Sequence, residues 1–173
     1  DGSVSSAGNS GYVNGPVRYT GLNAFIFPVG KDGDYQPLAI SSSLSGIVDF
    51  TCEYFHDNPR TAFNNSLESG LNHISACEYW VLIRNAGSES KNISLDWDAN
   101  SCGVTNPPDL RVARWDGSLW QDEGNTGITG TTFSGSVTSD VVTDFSPFTL
   151  ASSSPSNPLP VELLGFTAHY NGN

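Results

Sequence analysis

Methionine is absent from the chain, and basic residues are scarce. The sequence has 7 Lys and Arg residues against 18 Asp and Glu residues, which gives a formal net charge of −11. Nucleic acids and anionic membrane surfaces are bound through clusters of basic side chains, so this charge balance argues against both as partners. No apolar run approaches the roughly 20 residues of a membrane-spanning helix. Abundant Ser, Thr, Gly and Asn are typical of an extracellular or cell-surface β-protein.

Cysteine is also rare, with only Cys52, Cys77 and Cys102. Because the number is odd, at most one internal disulfide forms and one thiol is left over. Cys77 precedes one strand-like segment and Cys102 follows another, so the two sulfurs would meet if these strands formed a hairpin. Cys52 alternates with apolar residues, which favours a buried core thiol.

The usual signatures of catalysis are missing as well. There is no nucleophile elbow, zinc-protease motif, phosphate-binding Gly loop or Cys-x-x-Cys pair. The three histidines, His56, His73 and His169, fall in separate segments. Glu53 and Glu78 would suit glycoside hydrolysis only at a separation of about 5–9 Å, and no pattern brings them together. The sequence therefore predicts a protein that is not an enzyme.

What the chain does contain is apolar residues with a period of two. Residues 48–54 place Val48, Phe50, Cys52 and Tyr54 on one face, and residues 78–84, 92–97, 136–142 and 145–150 also have strand character. Turn signals at residues 31–34, 85–88 and 115–118 separate such segments. Many short strands at this spacing predict an all-β, antiparallel two-sheet sandwich of the Ig-like or jelly-roll-like kind, with an extended C-terminal strand.

Composition divides the chain into four parts. Residues 1–14 are a Gly/Ser-rich tail, residues 15–151 the sandwich domain, residues 152–159 a Ser/Pro linker, and residues 160–173 a strand-like apolar segment. A lone apolar strand after a linker is unstable without a partner sheet. It must fold back on its own domain, begin a further domain, or complete a neighbouring copy.

The last of these alternatives would make residues 160–173 a donor strand. Strand addition supplies a ladder of backbone hydrogen bonds and pockets for alternate side chains. One face of the segment carries Leu164, Phe166, Ala168 and Tyr170, and the other carries Val161 and Leu163.

A series of segments in this chain resembles a region that recurs near the C-terminal end of secreted and surface proteins of the Bacteroidota. The segments are 12–18 (YVNGPVR), 25–31 (FIFPVGK), 77–80 (CEYW), 94–105 (SLDWDANSCGVT), 110–117 (LRVARWDG), 145–150 (FSPFTL) and 157–164 (NPLPVELL). In those proteins the region often precedes an Ig-like domain and a type IX sorting signal, and no activity is attached to it. The resemblance implies an extracellular location, supports pairing of Cys77 with Cys102, and makes residues 159–164 the first strand of a further domain.

Two tryptophans are candidate glycan contacts. Trp115 and Trp120 flank the Asp116–Gly117 turn and would pair across a hairpin tip. An exposed pair of rings would suit stacking on sugars, whereas the alternative is a cross-strand pair that packs inward and stabilises the hairpin.

The remaining candidates are modification and metal sites. Asn64 and Asn92 each begin an Asn-x-Ser triplet and are candidate glycosylation sites. No cofactor is predicted, although the acidic turns at Asp32 and Asp34 and at Asp96 and Asp98 are weak calcium candidates, because calcium takes several oxygen ligands. Neither turn has a complete loop pattern.

These observations predict a non-enzymatic extracellular structural protein. We expect a filament subunit that assembles with copies of itself, head to tail, through its C-terminal strand, because a contact that does not close on itself generates a fibre. The alternative is a carbohydrate-binding or stalk module of a larger secreted enzyme or adhesin.

Overall fold

The computed structural model describes residues 7–159, and nearly all of its regular structure is β. The strands are β1 (Val17–Gly21), β2 (Phe25–Phe27), β3 (Gly30–Lys31), β4 (Asp34–Tyr35), β5 (Leu38–Ile40), β6 (Val48–Phe55), β7 (His73–Ile74), β8 (Tyr79–Ala86), β9 (Ile93–Trp97), β10 (Leu110–Trp115), β11 (Trp120–Asp122), β12 (Gly127–Gly130), β13 (Gly135–Thr138) and β14 (Pro147–Ser152). Helical backbone is limited, in this range, to α1 (Pro59–Ala62) and a 3₁₀ turn at Pro107–Asp109.

The strands form two packed antiparallel sheets and a small hairpin. The larger sheet has the order β1-β6-β8-β14-β10-β11, with β7 added on β14. The smaller sheet has the order β12-β13-β9-β5-β2, and β3 pairs only with β4. The predicted all-β, two-sheet antiparallel fold is confirmed.

Alternation of apolar and polar residues explains which side chains fill the space between the sheets. On β6 the side chains of Val48, Phe50, Cys52 and Tyr54 are buried, and Thr51 lies on the opposite face. The strand β9 repeats this pattern, with every second residue buried. The core is rich in aromatic rings whose polar atoms are satisfied; for example, the indole N–H of Trp80 donates to the Gln36 carbonyl at 2.8 Å.

A second, smaller apolar cluster lies on the outer face of the larger sheet. Residues 58–72, which include α1, contribute Phe63, Leu67 and Leu71 to it, and strand β7 of the sheet contributes Ile74. The buried members of the cluster are Leu71, Ile74, Ala113, Trp120 and Ala151. Asn58 caps α1 by accepting a hydrogen bond from the Arg60 N–H at 2.9 Å. The sequence did not predict this outer layer.

The strand register defines two opposite ends of the sandwich. At one end Gly21 pairs with Val48 and Asp49 with Ala86. We call this the loop end; it carries the loops of residues 21–24, 41–47, 87–92 and 139–144. At the other, the exit end, Phe55 pairs with Tyr79, and β14 ends at Ser152. Eight residues of β6 at about 3.3 Å each place the two ends roughly 25 Å apart.

Candidate functional site

The disulfide lies at the exit end. Cys77 and Cys102 are bonded, with their Cα atoms 6.1 Å apart. The hairpin that suggested this pairing does not form, because β8 belongs to the larger sheet and β9 to the smaller. The bond instead joins the two sheets, since the start of β8 and the loop after β9 lie at the same end of the sandwich. Cys52 is a buried free thiol, and burial raises its pKa.

The Ser/Pro segment, residues 152–159, is hydrogen-bonded to the domain at the same end. The side-chain oxygen of Asn157 accepts hydrogen bonds from the backbone N–H groups of Thr105 at 3.0 Å and Asn106 at 2.8 Å. Its amide N–H₂ donates to the Asn106 carbonyl and to the Ser152 hydroxyl. Leu159 is fully buried in the main core. The backbone of residues 153–159 is therefore held on the sandwich.

The predicted donor strand lies outside the described residues. This applies to all six side chains assigned to it, namely Val161, Leu163, Leu164, Phe166, Ala168 and Tyr170. What the structure gives is the position of residue 159, from which this segment continues. A guanidinium N–H of Arg60 donates to the Leu159 carbonyl at 3.4 Å, beside β7.

Within residues 7–159, the two main sheets have three open edges. The edge strands β1, β2 and β12 each pair with a neighbour on one side. The outer edge of β11 is not open, because residues 66–68 form backbone hydrogen bonds with it. For example, the Trp120 N–H donates to the Ser66 carbonyl at 2.9 Å. Open edges present unpaired N–H and C=O groups, which are templates for a further strand.

Trp120 packs inward, and Trp115 lies half-buried against it. Trp115 and Trp120 are paired across the β10–β11 hairpin, with ring centroids 5.6 Å apart. Trp120 is 0% exposed, and its indole N–H donates to the Asn64 carbonyl at 3.0 Å. Phe63 also packs on both rings. An exposed platform of two rings is therefore wrong, because residues 58–75 cover this side of the hairpin.

The two glycosylation candidates have different surroundings. Asn64 is exposed, and its side-chain oxygen accepts from the Ser66 N–H at 2.8 Å. Asn92 is half-buried, and its amide donates to the Ser139 carbonyl at 2.9 Å. Because Asn92 is half-buried and its amide is engaged with Ser139, Asn64 is the more accessible of the two.

The acidic turns are brought to the exit end. One carboxylate oxygen of Asp34 accepts a hydrogen bond from the Asn100 amide at 2.5 Å. The other, Oδ2, lies 3.6 Å from Nδ1 of His56. Asp32 is in the β3–β4 turn with a positive φ of 56°, while Asp96 and Asp98 lie on and just after β9. Among residues 7–159, no group of three or more His, Cys, Asp or Glu side chains is arranged to hold a metal ion.

Asp96 lines a pocket of about 360 Å³ on the smaller sheet. Tyr35, Thr129 and Ser136 contribute hydroxyl groups to the same wall. Burial raises the pKa of the Asp96 carboxyl to about 6. No group in the described part of the chain donates a hydrogen bond to this carboxylate. The pocket thus presents the Asp96 carboxylate, which is free to accept hydrogen bonds from a ligand, beside several hydroxyl groups.

Glu78 is a buried carboxyl group, and the sequence did not predict that it faces inward. Its side chain is 1% exposed, and one carboxylate oxygen accepts from the Tyr54 hydroxyl at 2.9 Å. A side-chain hydrogen bond from Ser101 also acts on this carboxyl group and, like that from Tyr54, lowers its pKa. Burial raises the pKa of Glu78 to about 7, and the nearby charges of Asp98 and Asp34 act in the same direction. Glu53, by contrast, lies on the outer side of β6, where its residue is half-buried, so the two carboxyls face different sides of the larger sheet.

Comparison with known proteins gives no assignment, since no protein family, curated protein or solved structure matches this chain. In the range that the structure covers, no helix is long and apolar enough to cross a membrane.

Proposed function

We propose that this protein is a non-enzymatic extracellular structural subunit that assembles head to tail into filaments, with residues 160–173 of one copy adding to a sheet of the next. The observation that carries the proposal is the anchoring of residues 153–159. Asn157 and Leu159 hold this segment at the exit end, so the apolar segment beyond it starts from a fixed position.

Anchoring matters because association is opposed by the entropy of ordering flexible chain. A segment that begins at a fixed point loses less conformational freedom when it binds, which favours assembly. The open edges of β1, β2 and β12 are suitable acceptors for an added strand. The Cys77–Cys102 bond supports an oxidising, extracellular compartment.

The test is negative-stain electron microscopy of the whole chain beside a variant that lacks residues 160–173. The deletion begins after Leu159, so the anchoring contacts of Asn157 remain. We expect filaments from the whole chain and folded, monomeric particles from the shortened one. Uniform small particles from the whole chain at concentrations well above and below micromolar would contradict the proposal. Unfolding of the shortened chain would show that the strand completes its own domain.

A second candidate function is a glycan-binding module, and the pocket at Asp96 favours it. An unpartnered carboxylate beside hydroxyl groups is suited to accept hydrogen bonds from sugar hydroxyls. This candidate no longer depends on Trp115 and Trp120. A glycan array and pull-down on insoluble polysaccharides test it, with Asp96→Asn as the matched variant. Binding that the variant loses would support the module, and the absence of binding in both assays would remove it.

A further inference from the structure

The exposed apolar side chains of the described residues are concentrated at the loop end. Leu44 and Ile47, both on the 41–47 loop, are 97% and 64% exposed, and Val141 is 63% exposed. Leu22 and Ile26, from the β1–β2 turn and β2, are also exposed. Isolated exposed apolar residues are common on proteins, but a cluster of them marks an interaction surface.

Two pockets lie within this cluster. One, of about 270 Å³, is lined by Leu22 and Ile47 at the end of β1. The other, of about 510 Å³, is lined by Leu44 and Val141. Each pocket has two apolar side chains in a lining that is otherwise polar or glycine, and both pockets include residues of the 41–47 loop. Pockets of this kind can receive alternate side chains of an extended segment.

Hydrogen bonds hold the loop that presents these side chains. The Ser43 N–H donates to the Leu22 carbonyl at 2.7 Å, and the Ser43 hydroxyl accepts from the ammonium group of Lys91 at 2.6 Å. Glu89 accepts from the Leu44 N–H at 3.1 Å and from the Ser45 hydroxyl at 3.0 Å. The apolar side chains thus lie on a loop that is held by hydrogen bonds. Because the loop is already ordered, less conformational entropy is lost when it binds a partner.

We infer that the loop end is the acceptor surface for residues 160–173 of a second copy, an inference that rests on the proposed function. Residue 159 lies at the exit end, whereas the apolar cluster lies at the opposite end. When copies stack head to tail, the exit end of one faces the loop end of the next. Fourteen extended residues span about 46 Å, enough to cross that junction, pass over the two pockets and continue along the open edge of β1.

The apolar side chains of the segment suit these pockets. In an extended conformation, Leu164 and Phe166 would share one face and Leu163 would lie on the other. One face would then meet the pockets while the backbone pairs with the edge of β1. The same length of chain would also allow residues 160–173 to fold back on their own loop end. The experiment must therefore distinguish contacts between copies from contacts within one.

Photo-crosslinking of the whole chain makes that distinction. A benzophenone amino acid replaces Ile47 in a mixture of ¹⁴N- and ¹⁵N-labelled chains, under conditions in which microscopy shows filaments. We expect crosslinks from position 47 to residues 160–173 that join the two isotopes. The matched control places the same group at Phe133, which is 79% exposed but lies at the exit end, and gives no such crosslink.

The outcomes separate this inference from the proposed function. Filaments in which position 47 crosslinks elsewhere, or only within one isotope, would overturn the acceptor assignment and leave the filament intact. Absence of filaments would overturn both. As a second measurement, Ile47→Asp is expected to raise the critical concentration for assembly by about tenfold or more, with Phe133→Asp unchanged. Equal behaviour of the two variants would contradict the inference.

Discussion

The hydroxyl of Tyr54 on β6 donates a 2.9 Å hydrogen bond to the carboxylate of Glu78, just before β8, in the interior of the protein. Both side chains are almost completely buried. The bond joins β6 to the residue just before β8, its neighbour in the larger sheet, beside the disulfide at Cys77. It satisfies one oxygen of a carboxyl group whose ionisation is opposed by burial.

The first prediction concerns the pH dependence of stability. The pKa of Glu78 is raised from 4.5 to about 7 in the folded protein, so between these values the folded state binds more protons than the unfolded state. The free energy of unfolding therefore falls as pH rises across this window, by up to about 3 kcal/mol. Asp96 acts in the same direction between 3.8 and about 6.

Glu78→Gln removes the titration while keeping an acceptor for Tyr54. Urea denaturation at several pH values is expected to show a flatter profile for this variant than for the unchanged protein. Asp96→Asn serves as the comparison, because it removes only the contribution of Asp96 to the pH dependence of stability, which lies below about pH 6. A Glu78→Gln profile parallel to that of the unchanged protein would show that Glu78 does not titrate in this range.

The second prediction concerns the disulfide. The Cys77–Cys102 bond closes a loop with a sequence separation of 25 and joins the two sheets. In the chain-entropy treatment, replacing both residues by Ser lowers the free energy of unfolding by about 3 kcal/mol. Chemical denaturation measures the loss, and Cys52→Ala is the control that retains the disulfide. A double variant as stable as the unchanged protein would show that the bond adds nothing to the contacts at the exit end.

The third prediction concerns the outer apolar cluster. Trp120 is completely buried beneath residues 58–75, whereas Trp115 is only half-buried. We expect Trp120→Ala to cost about 3–5 kcal/mol of stability and Trp115→Ala to cost less. Thermal and urea unfolding give the comparison. Equal effects of the two substitutions would mean that residues 58–75 do not cover the hairpin as the structure shows.

Much of the sandwich could be predicted from the sequence, because alternation is a local signal. The period-two pattern around Phe50 and Cys52 identified β6, and that around Leu95 identified β9. The last part of the predicted strand at residues 136–142 was wrong: β13 ends at Thr138, and Val142 instead forms an isolated bridge to Lys91.

The outer layer and the buried carboxyl could not be predicted in this way. Phe63, Leu67 and Leu71 recur at every fourth position, as on a helix face, but α1 ends at Ala62 and their burial depends on strands far along the chain. Glutamate is a residue type that is usually exposed. Glu78 is buried beside Tyr54, a partner 24 residues earlier in the sequence. Such long-range partners leave no local pattern.

The last prediction concerns the anchor of the Ser/Pro segment. Asn157 makes four hydrogen bonds with residues 105, 106 and 152. Asn157→Ala leaves two backbone N–H groups without their acceptor, which costs about 1–3 kcal/mol locally. Asn157→Asp keeps an acceptor for both N–H groups and loses the two donors, so its effect should be intermediate. Ser156→Ala, at an exposed neighbouring position, is the control.

Hydrogen exchange over residues 153–159 measures the anchor directly, and sedimentation measures its consequence for assembly. If the anchor fixes the starting point of the donor strand, faster exchange and a higher critical concentration should appear together, in the order Ala, Asp, unchanged protein. Faster exchange without any change in assembly would mean that binding of residues 160–173 does not depend on where the strand begins. The filament proposal would then lose the observation on which it rests.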